Sequence, residues 1–223
     1  MKKILSLFLL FLCLSIEVFP LDIIFLRHAE TIGNAGGDYS GNNGDTLTAI
    51  GRRQTQNVVV KLEKFKFDII LASPLTRARL TILPYLKKHG AIAYIWPELA
   101  ECCSSGKHGF TPTKGALSGR LVNVVPGERQ YFSLVEGKRC YYLSDYYEQG
   151  TRQVEDLYRN LVKSFWYKDK TILLVGHGTC GKKLIEKILG HSLSVYLENA
   201  QITYLRQRAD GGFTLLLLND RPQ

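Results

Sequence analysis

Three times along this 223-residue chain an apolar run of one strand's length stops abruptly at residues that carry chemistry. Ile23-Ile24-Phe25-Leu26 runs into Arg27-His28-Ala29-Glu30, Asp68-Ile69-Ile70-Leu71-Ala72 into Ser73-Pro74-Leu75-Thr76-Arg77, and Thr171-Ile172-Leu173-Leu174-Val175 into Gly176-His177-Gly178. Unbroken apolar runs, rather than alternation with polar residues, describe strands covered on both faces, the condition of a parallel sheet between helices. In such sheets ligands bind beyond the carboxyl ends of the strands, where loops and helix N-termini converge. A lone Arg-His pair would read as the start of a solvated loop. Its repetition at two further strand ends argues for a site.

Between these strands the pattern takes the helical period. Residues 35–46 are rich in Gly, Asn and Asp and read as loop; Thr46 or Thr48 then caps a helix to about residue 65, with Val58, Leu62 and Phe65 on one side. Ser73 as cap and Pro74 in the first turn start a helix to about residue 88, with a kink expected at Pro84. A short strand at 91–95 leads to Trp96-Pro97-Glu98-Leu99-Ala100-Glu101. Val154, Leu157, Tyr158, Leu161, Val162 and Phe165 give the clearest amphipathic helix, over 151–165. A helix over 179–189 stops at Gly190, and strands at 202–206 and 213–218 form a hairpin. Strands alternating with helices predict right-handed crossovers and an α/β fold, a three-layer α/β/α sandwich with a mainly parallel central sheet. That architecture brings Arg27, His28, Arg77 and His177 to one edge. Over 102–149 the periodicity disappears and Tyr141, Tyr142, Tyr146 and Tyr147 cluster. So long an irregular insertion reads as a lid near the active site or as an ordinary surface excursion.

The first fifteen residues stand apart. Lys2 and Lys3 precede the apolar run 4–14, and Cys13 and Ser15 occupy the −3 and −1 places of a cut after Ser15, the layout of a secretory signal. The run is short for a membrane span. The reading is therefore a signal peptide over 1–15 and one catalytic domain over 16–223, secreted or periplasmic and free of the membrane after cleavage. The alternative is membrane anchoring through an uncleaved N-terminus; lipid attachment at Cys13 is disfavoured by Leu12, where a small residue is expected. Loss of Lys2 and Lys3 lowers the formal charge from +9 to +7, a field that favours anionic ligands. The Lys and Arg residues are scattered and no nucleic-acid-binding signature is present, so the expected partner is a small phosphorylated molecule. Export permits disulfides, and Cys102 or Cys103 with Cys140 is the plausible pair, adjacent cysteines being poor partners for each other. A zinc site from Cys102, Cys103 and His108 fits no standard ligand spacing.

Two arginines and two histidines around one crevice suit a tetrahedral oxyanion such as phosphate, which guanidinium grips through paired hydrogen bonds. A neutral imidazole can attack phosphorus while a carboxylic acid protonates the leaving oxygen. Crowding by two guanidinium groups favours the neutral imidazole of His28, and Glu30, if close, opposes it. The motifs Arg27-His28-Ala29-Glu30-Thr31-x-x-Asn34, Leu47-Thr48-x-x-Gly51-x-x-Gln54, Ser73-Pro74-Leu75-x-Arg77-Ala78 and Gly176-His177-Gly178 resemble, in this order, those of the histidine phosphatase superfamily, phosphoglycerate-mutase-like branch. The resemblance covers roughly 22–101 and 154–205.

It implies that His28 is the phosphorylated nucleophile and that Arg27, Arg77 and His177 hold the phosphoryl oxygens, with Asn34 lining the phosphate site. It also implies a carboxylic acid after the third strand: by position Glu101, with Glu98 in reserve. The scheme requires no metal or other cofactor. Ala29 stands where the family usually has glycine and Leu80 where it usually has glutamine. Cys102-Cys103-Ser104-Ser105 is unlike the charged, glycine-bearing stretch of the mutases, which favours a phosphatase of phosphate monoesters. A phosphoryl-transferring mutase and a catalytically inactive phospholigand-binding protein are the alternatives.

Overall fold

Strand β1 (Leu21–Arg27) runs through the middle of the protein, and its side chains sort by parity. Leu21, Ile23 and Phe25 enter one hydrophobic cluster and Ile24 and Leu26 another, all buried. Each such side chain contributes roughly 1.5–3 kcal/mol by leaving water, so a one-residue slip, which exchanges the faces, is strongly opposed. The computed structural model describes residues 20–103, 105–106, 109–110, 124–134 and 150–223. The proposed signal segment, His108, Cys140 and most of the 102–149 excursion lie outside them.

After β1 come helices α1 (Ile32–Gly36) and α2 (Ala49–Leu62), strand β2 (Ile69–Ala72), helix α3 (Thr76–His89) and strand β3 (Ala93–Ile95). A 3₁₀ turn (Pro97–Leu99), the short strands β4 (Ser105–Gly106) and β5 (Gly109–Phe110), and a second 3₁₀ turn (Pro126–Tyr131) precede β6 (Phe132–Leu134). Helix α4 (Gly150–Phe165), strand β7 (Lys170–Gly176), helix α5 (Gly178–Leu189) and strands β8 (Ile202–Gln207), β9 (Phe213–Leu218) and β10 (Arg221–Pro222) complete the described chain. Among the described residues the main sheet has eight strands in the order β10-β9-β8-β1-β7-β2-β3-β6. Strands β1, β7, β2, β3 and β6 are mutually parallel, and β8, β9 and β10 add antiparallel at the other side of β1. This is the expected α/β architecture, with α4 and α5 packed on one face and α2 and α3 on the other. Among the described residues no helix is long and apolar enough to cross a membrane.

Strand β7 decides where the site forms. It lies between β1 and β2, with Arg27 opposite Gly176 and Ala72 opposite Val175, so the three polar strand ends finish side by side.

The local differences from the sequence reading have physical causes. Helix α3 starts at Thr76 rather than at Pro74, and Ser73 does not cap it. Leu75 is the N-cap, without a side-chain hydrogen bond, because Ser73 Oγ faces the site instead. Helix α1 lies partly in the segment read as loop. It is five residues long, closed at its start by a capping box between Thr31 and Asn34 and at its end by Gly37 in the left-handed region, too short to show a period. The hairpin of β8 and β9 and the stop at Gly190 are as expected.

Candidate active site

His28 follows directly on β1 and is buried, its backbone N–H donating to Gly176 O of β7 at 2.9 Å. Its Nδ1–H donates to Ala29 O at 2.7 Å, which fixes the tautomer and leaves the lone pair on Nε2. His177 is the N-cap of α5 and fully buried. Its Nδ1 accepts from Arg77 Nε at 3.2 Å, so its proton sits on Nε2 and is donated to Ser73 Oγ at 2.6 Å. The two imidazole centroids are 5.1 Å apart. Arg27 NH1 donates to Leu197 O at 2.5 Å, while its buried Nε has no hydrogen-bond partner among the described residues. Arg77 is held by Asp45, whose Oδ1 accepts from NH1 at 2.9 Å and from the Arg77 backbone N–H at 3.2 Å. Arg27, His28, Arg77 and His177 thus stand together.

The electrostatics follow from burial and cationic neighbours. Burial, then Arg77, then Arg27 push the His28 imidazole well below its ordinary range, and the Ala29 carbonyl opposes this only partly. His177 is lowered in the same way by burial, Arg77, His28 and Arg27. Glu30, which would have opposed the shift, is turned elsewhere: its Oε1 accepts from Thr48 Oγ1 at 2.6 Å and its backbone N–H donates to Gln54 Oε1 at 2.8 Å. Both imidazoles are therefore neutral at pH 7. Burial also lowers the Arg27 pKa, and the Glu101 carboxylate is the first influence that opposes the change, which puts its charge within reach of this guanidinium.

Glu101 is mounted on the N-terminus of α5. Its Oε1 accepts from Cys180 N–H at 2.9 Å and Cys102 N–H at 3.1 Å, and its Oε2 from Thr179 N–H at 3.4 Å. The preceding chain is clamped by Gln153 of α4, whose Nε2 donates to the carbonyls of Glu98 and Ala100. Glu98 is buried and directed to α4, accepting from Asn160 Nδ2 at 3.2 Å, whereas Glu101 is tied to α5 at the site's edge. Asn34 reaches the same edge, where its Oδ1 accepts from Thr31 and from Asn199 Nδ2, and its Nδ2 donates to Tyr39 OH. Asn199 also donates to His28 O at 2.9 Å and so ties the loop before β8 to the end of β1.

Four supporting residues were missed or misread from sequence: Ser73, Asp45, Asn199 and Thr81, whose Oγ1 accepts from Ala29 N–H at 2.8 Å. Ser73 and Thr81 carried a signal, lying within or just beyond a strand-end motif; Asp45 and Asn199 sit in aperiodic loops and carried none. Cys102, Cys103 and Cys180 are buried free thiols, and the pairing expected with Cys140 involves a residue outside the described ones. Among the described residues no group of three His, Cys, Asp or Glu side chains is arranged to hold a metal ion.

The sequence matches the profile of the histidine phosphatase superfamily (branch 1) over residues 23–221. The chain belongs to this superfamily. Its relatives are phosphatases: the adenosylcobalamin/alpha-ribazole phosphatase of Escherichia coli K12 is 41% identical over 76 residues, 34% of this chain and 37% of that protein. The match thus spans little more than a third of that curated relative. Over most of the chain the likeness is one of fold. The alpha-ribazole phosphatase of Shigella flexneri superposes with a TM-score of 0.62 at 21% identity, covering 90% of this chain and 97% of that one. Mycobacterial glucosyl-3-phosphoglycerate phosphatase, solved with VO3, gives 0.59 at 22% identity, covering 89% and 98%.

Proposed function

We propose that this histidine phosphatase homologue hydrolyses phosphate monoesters through a phosphohistidine on Nε2 of His28, with Glu101 as proton donor, and that it works outside the cytoplasm. The observation that carries the reading is a neutral imidazole with a free Nε2 set among two guanidinium groups, one of which buries an Nε–H that finds no acceptor among the described residues. A buried donor of that kind favours an anion in its place.

In this scheme His28 Nε2 attacks phosphorus in line and the P–O ester bond breaks as Glu101 gives its proton to the leaving oxygen. Glu101, now a carboxylate, takes a proton from the water that attacks the phosphohistidine, and inorganic phosphate leaves. Arg27 and Arg77 stabilise the charge on the equatorial oxygens beside the His177 ring, with Asn34 lining the site through the loop it holds. Positioning is supplied by the Asp45–Arg77 and Ser73–His177 contacts. Export is supported by the Lys2-Lys3 pair and the apolar run that follows it.

Replacing His28 with Ala should lower turnover of an aryl phosphate by more than about a thousandfold, roughly 4 kcal/mol of transition-state stabilisation, with an unchanged circular dichroism spectrum. Undiminished turnover refutes the nucleophile. Isomerisation of a phosphorylated substrate without phosphate release would instead support a mutase, and tight binding of vanadate with no turnover a binding protein.

A further inference from the structure

Behind Glu101 lies a cluster of three buried thiols that the phosphohistidine scheme does not use. Cys102 and Cys103 are consecutive, and their Sγ atoms lie 2.8 Å apart, closer than unbonded sulfurs ordinarily approach. Cys103 has a φ of 59°, in the left-handed region rarely taken by residues with a Cβ. The first residue of α4 makes the space: a Cβ on Gly150 would fall 2.5 Å from Cys103 Sγ and 2.9 Å from Cys102 Cβ. The Cys180 thiol, in the first turn of α5, is buried beside them and donates to Glu98 O at 3.7 Å. Two of these residues also hold the carboxylate, since Glu101 Oε1 accepts from the backbone N–H groups of Cys102 and Cys180. On its far side Cys103 borders a cavity of about 340 Å³ lined with Thr151, Lys183, Lys187 and His191, roomy enough for a small solute.

We propose that Cys102 and Cys103 are a site of reversible oxidation by a small peroxide, closing a vicinal disulfide that displaces the backbone N–H groups holding Glu101. Cys103 is fully buried in the resting packing, so the oxidant reaches it from the cavity side when that packing opens locally. The Cys103 thiolate attacks one oxygen of hydrogen peroxide, the O–O bond breaks, and a sulfenic acid forms while the departing hydroxide collects the thiol's proton as water. The sulfur of Cys102 then attacks the sulfenic sulfur; the S–S bond forms, the S–O bond breaks, and the Cys102 proton leaves with that oxygen as a second water. Two thiols and one peroxide give one disulfide and two waters. The hydrogen bond to Cys102 and then burial push the Cys103 thiol up, so the first step is slow at neutrality and accelerates with rising pH.

Geometry makes the product a switch rather than a staple. Consecutive Cα atoms are about 3.8 Å apart, against roughly 4.4–6.8 Å in ordinary disulfides, and a bond made under that strain is readily reduced.

The test uses the whole chain, treated with hydrogen peroxide at mildly alkaline pH. Intact mass should fall by two hydrogens, and non-reducing peptide mapping should place the link between Cys102 and Cys103. Turnover of an aryl phosphate should drop roughly tenfold or more and return with dithiothreitol, since small displacements of a catalytic group are costly. This activity effect rests on the phosphohistidine reading; the mass change does not, so an inactive reduced enzyme would sink that reading and leave the dithiol decided by its mass. Cys103→Ala, or Cys103→Ser should the alanine fail to fold, should keep activity and lose the peroxide response, whereas Cys140→Ser should retain it. No loss of two hydrogens, or a link to Cys180 or Cys140 instead, overturns the site. A Cys102–Cys103 link with undiminished turnover overturns its coupling to Glu101.

Discussion

His28 and His177 are neutral because water is excluded from them and two guanidinium groups stand close, and this has a cost in acid. In the unfolded chain each imidazole takes a proton near pH 6.5, whereas in the folded protein both stay neutral well below that. Below about pH 6.5 the unfolded state therefore binds more protons, and each histidine removes about 1.4 kcal/mol of stability per pH unit as the pH falls towards its depressed folded value. Above pH 6.5 this contribution is level. Urea midpoints measured at pH 7 and pH 5 should fall steeply for the native protein and less steeply for His28→Gln and His177→Gln; equal slopes would contradict the account. These two residues, with Arg27 and Arg77, were legible because each lies at or within a few residues of the end of an apolar strand. Asn199 was not, since its partner His28 lies 171 positions away and nothing in its own loop marks it.

At the scale of elements, the start of α2 is a buttress for the end of β1. Thr48 caps α2 through Gly51 N–H and also donates to the Glu30 carboxylate, Gln54 accepts the Glu30 N–H, and the Glu30 carbonyl presses against Gly51. The spacing of Thr48, Gly51 and Gln54 is one helical face laid on the residue two places after His28. A Cβ at position 51 would lie 2.0 Å from Glu30 O, so Gly51→Ala must move either α2 or the strand end. Overpacking of this kind costs about 1–3 kcal/mol, and the shift should lower kcat/KM for an aryl phosphate roughly tenfold or more. Urea unfolding and steady-state kinetics check both effects, and wild-type values in both would show that the contact is slack. Sequence periodicity located α2, α4 and α5 to within a few residues because their buried faces repeat. It misplaced the start of α3, where Ser73 serves an imidazole 104 positions away rather than its own helix.

For the whole molecule, the fold class was readable from alternating strand and helix patterns, but the order of strands in the sheet was not. Two short edge strands, β6 and β10, have too few residues to carry a pattern. The proposed export makes its own prediction: protein recovered from outside the cytoplasm should begin at Ile16, as read by amino-terminal sequencing, and retention of Met1 would favour the anchored alternative. Strand β7 gives this a further meaning. It is wedged between β1 and β2, yet it is made about a hundred residues after β2, so a chain threaded outward from its amino terminus delivers His28 and Arg77 long before His177. Until that late insertion the proposed anion site is incomplete, and a chain cut short before β7 should show no phosphatase turnover.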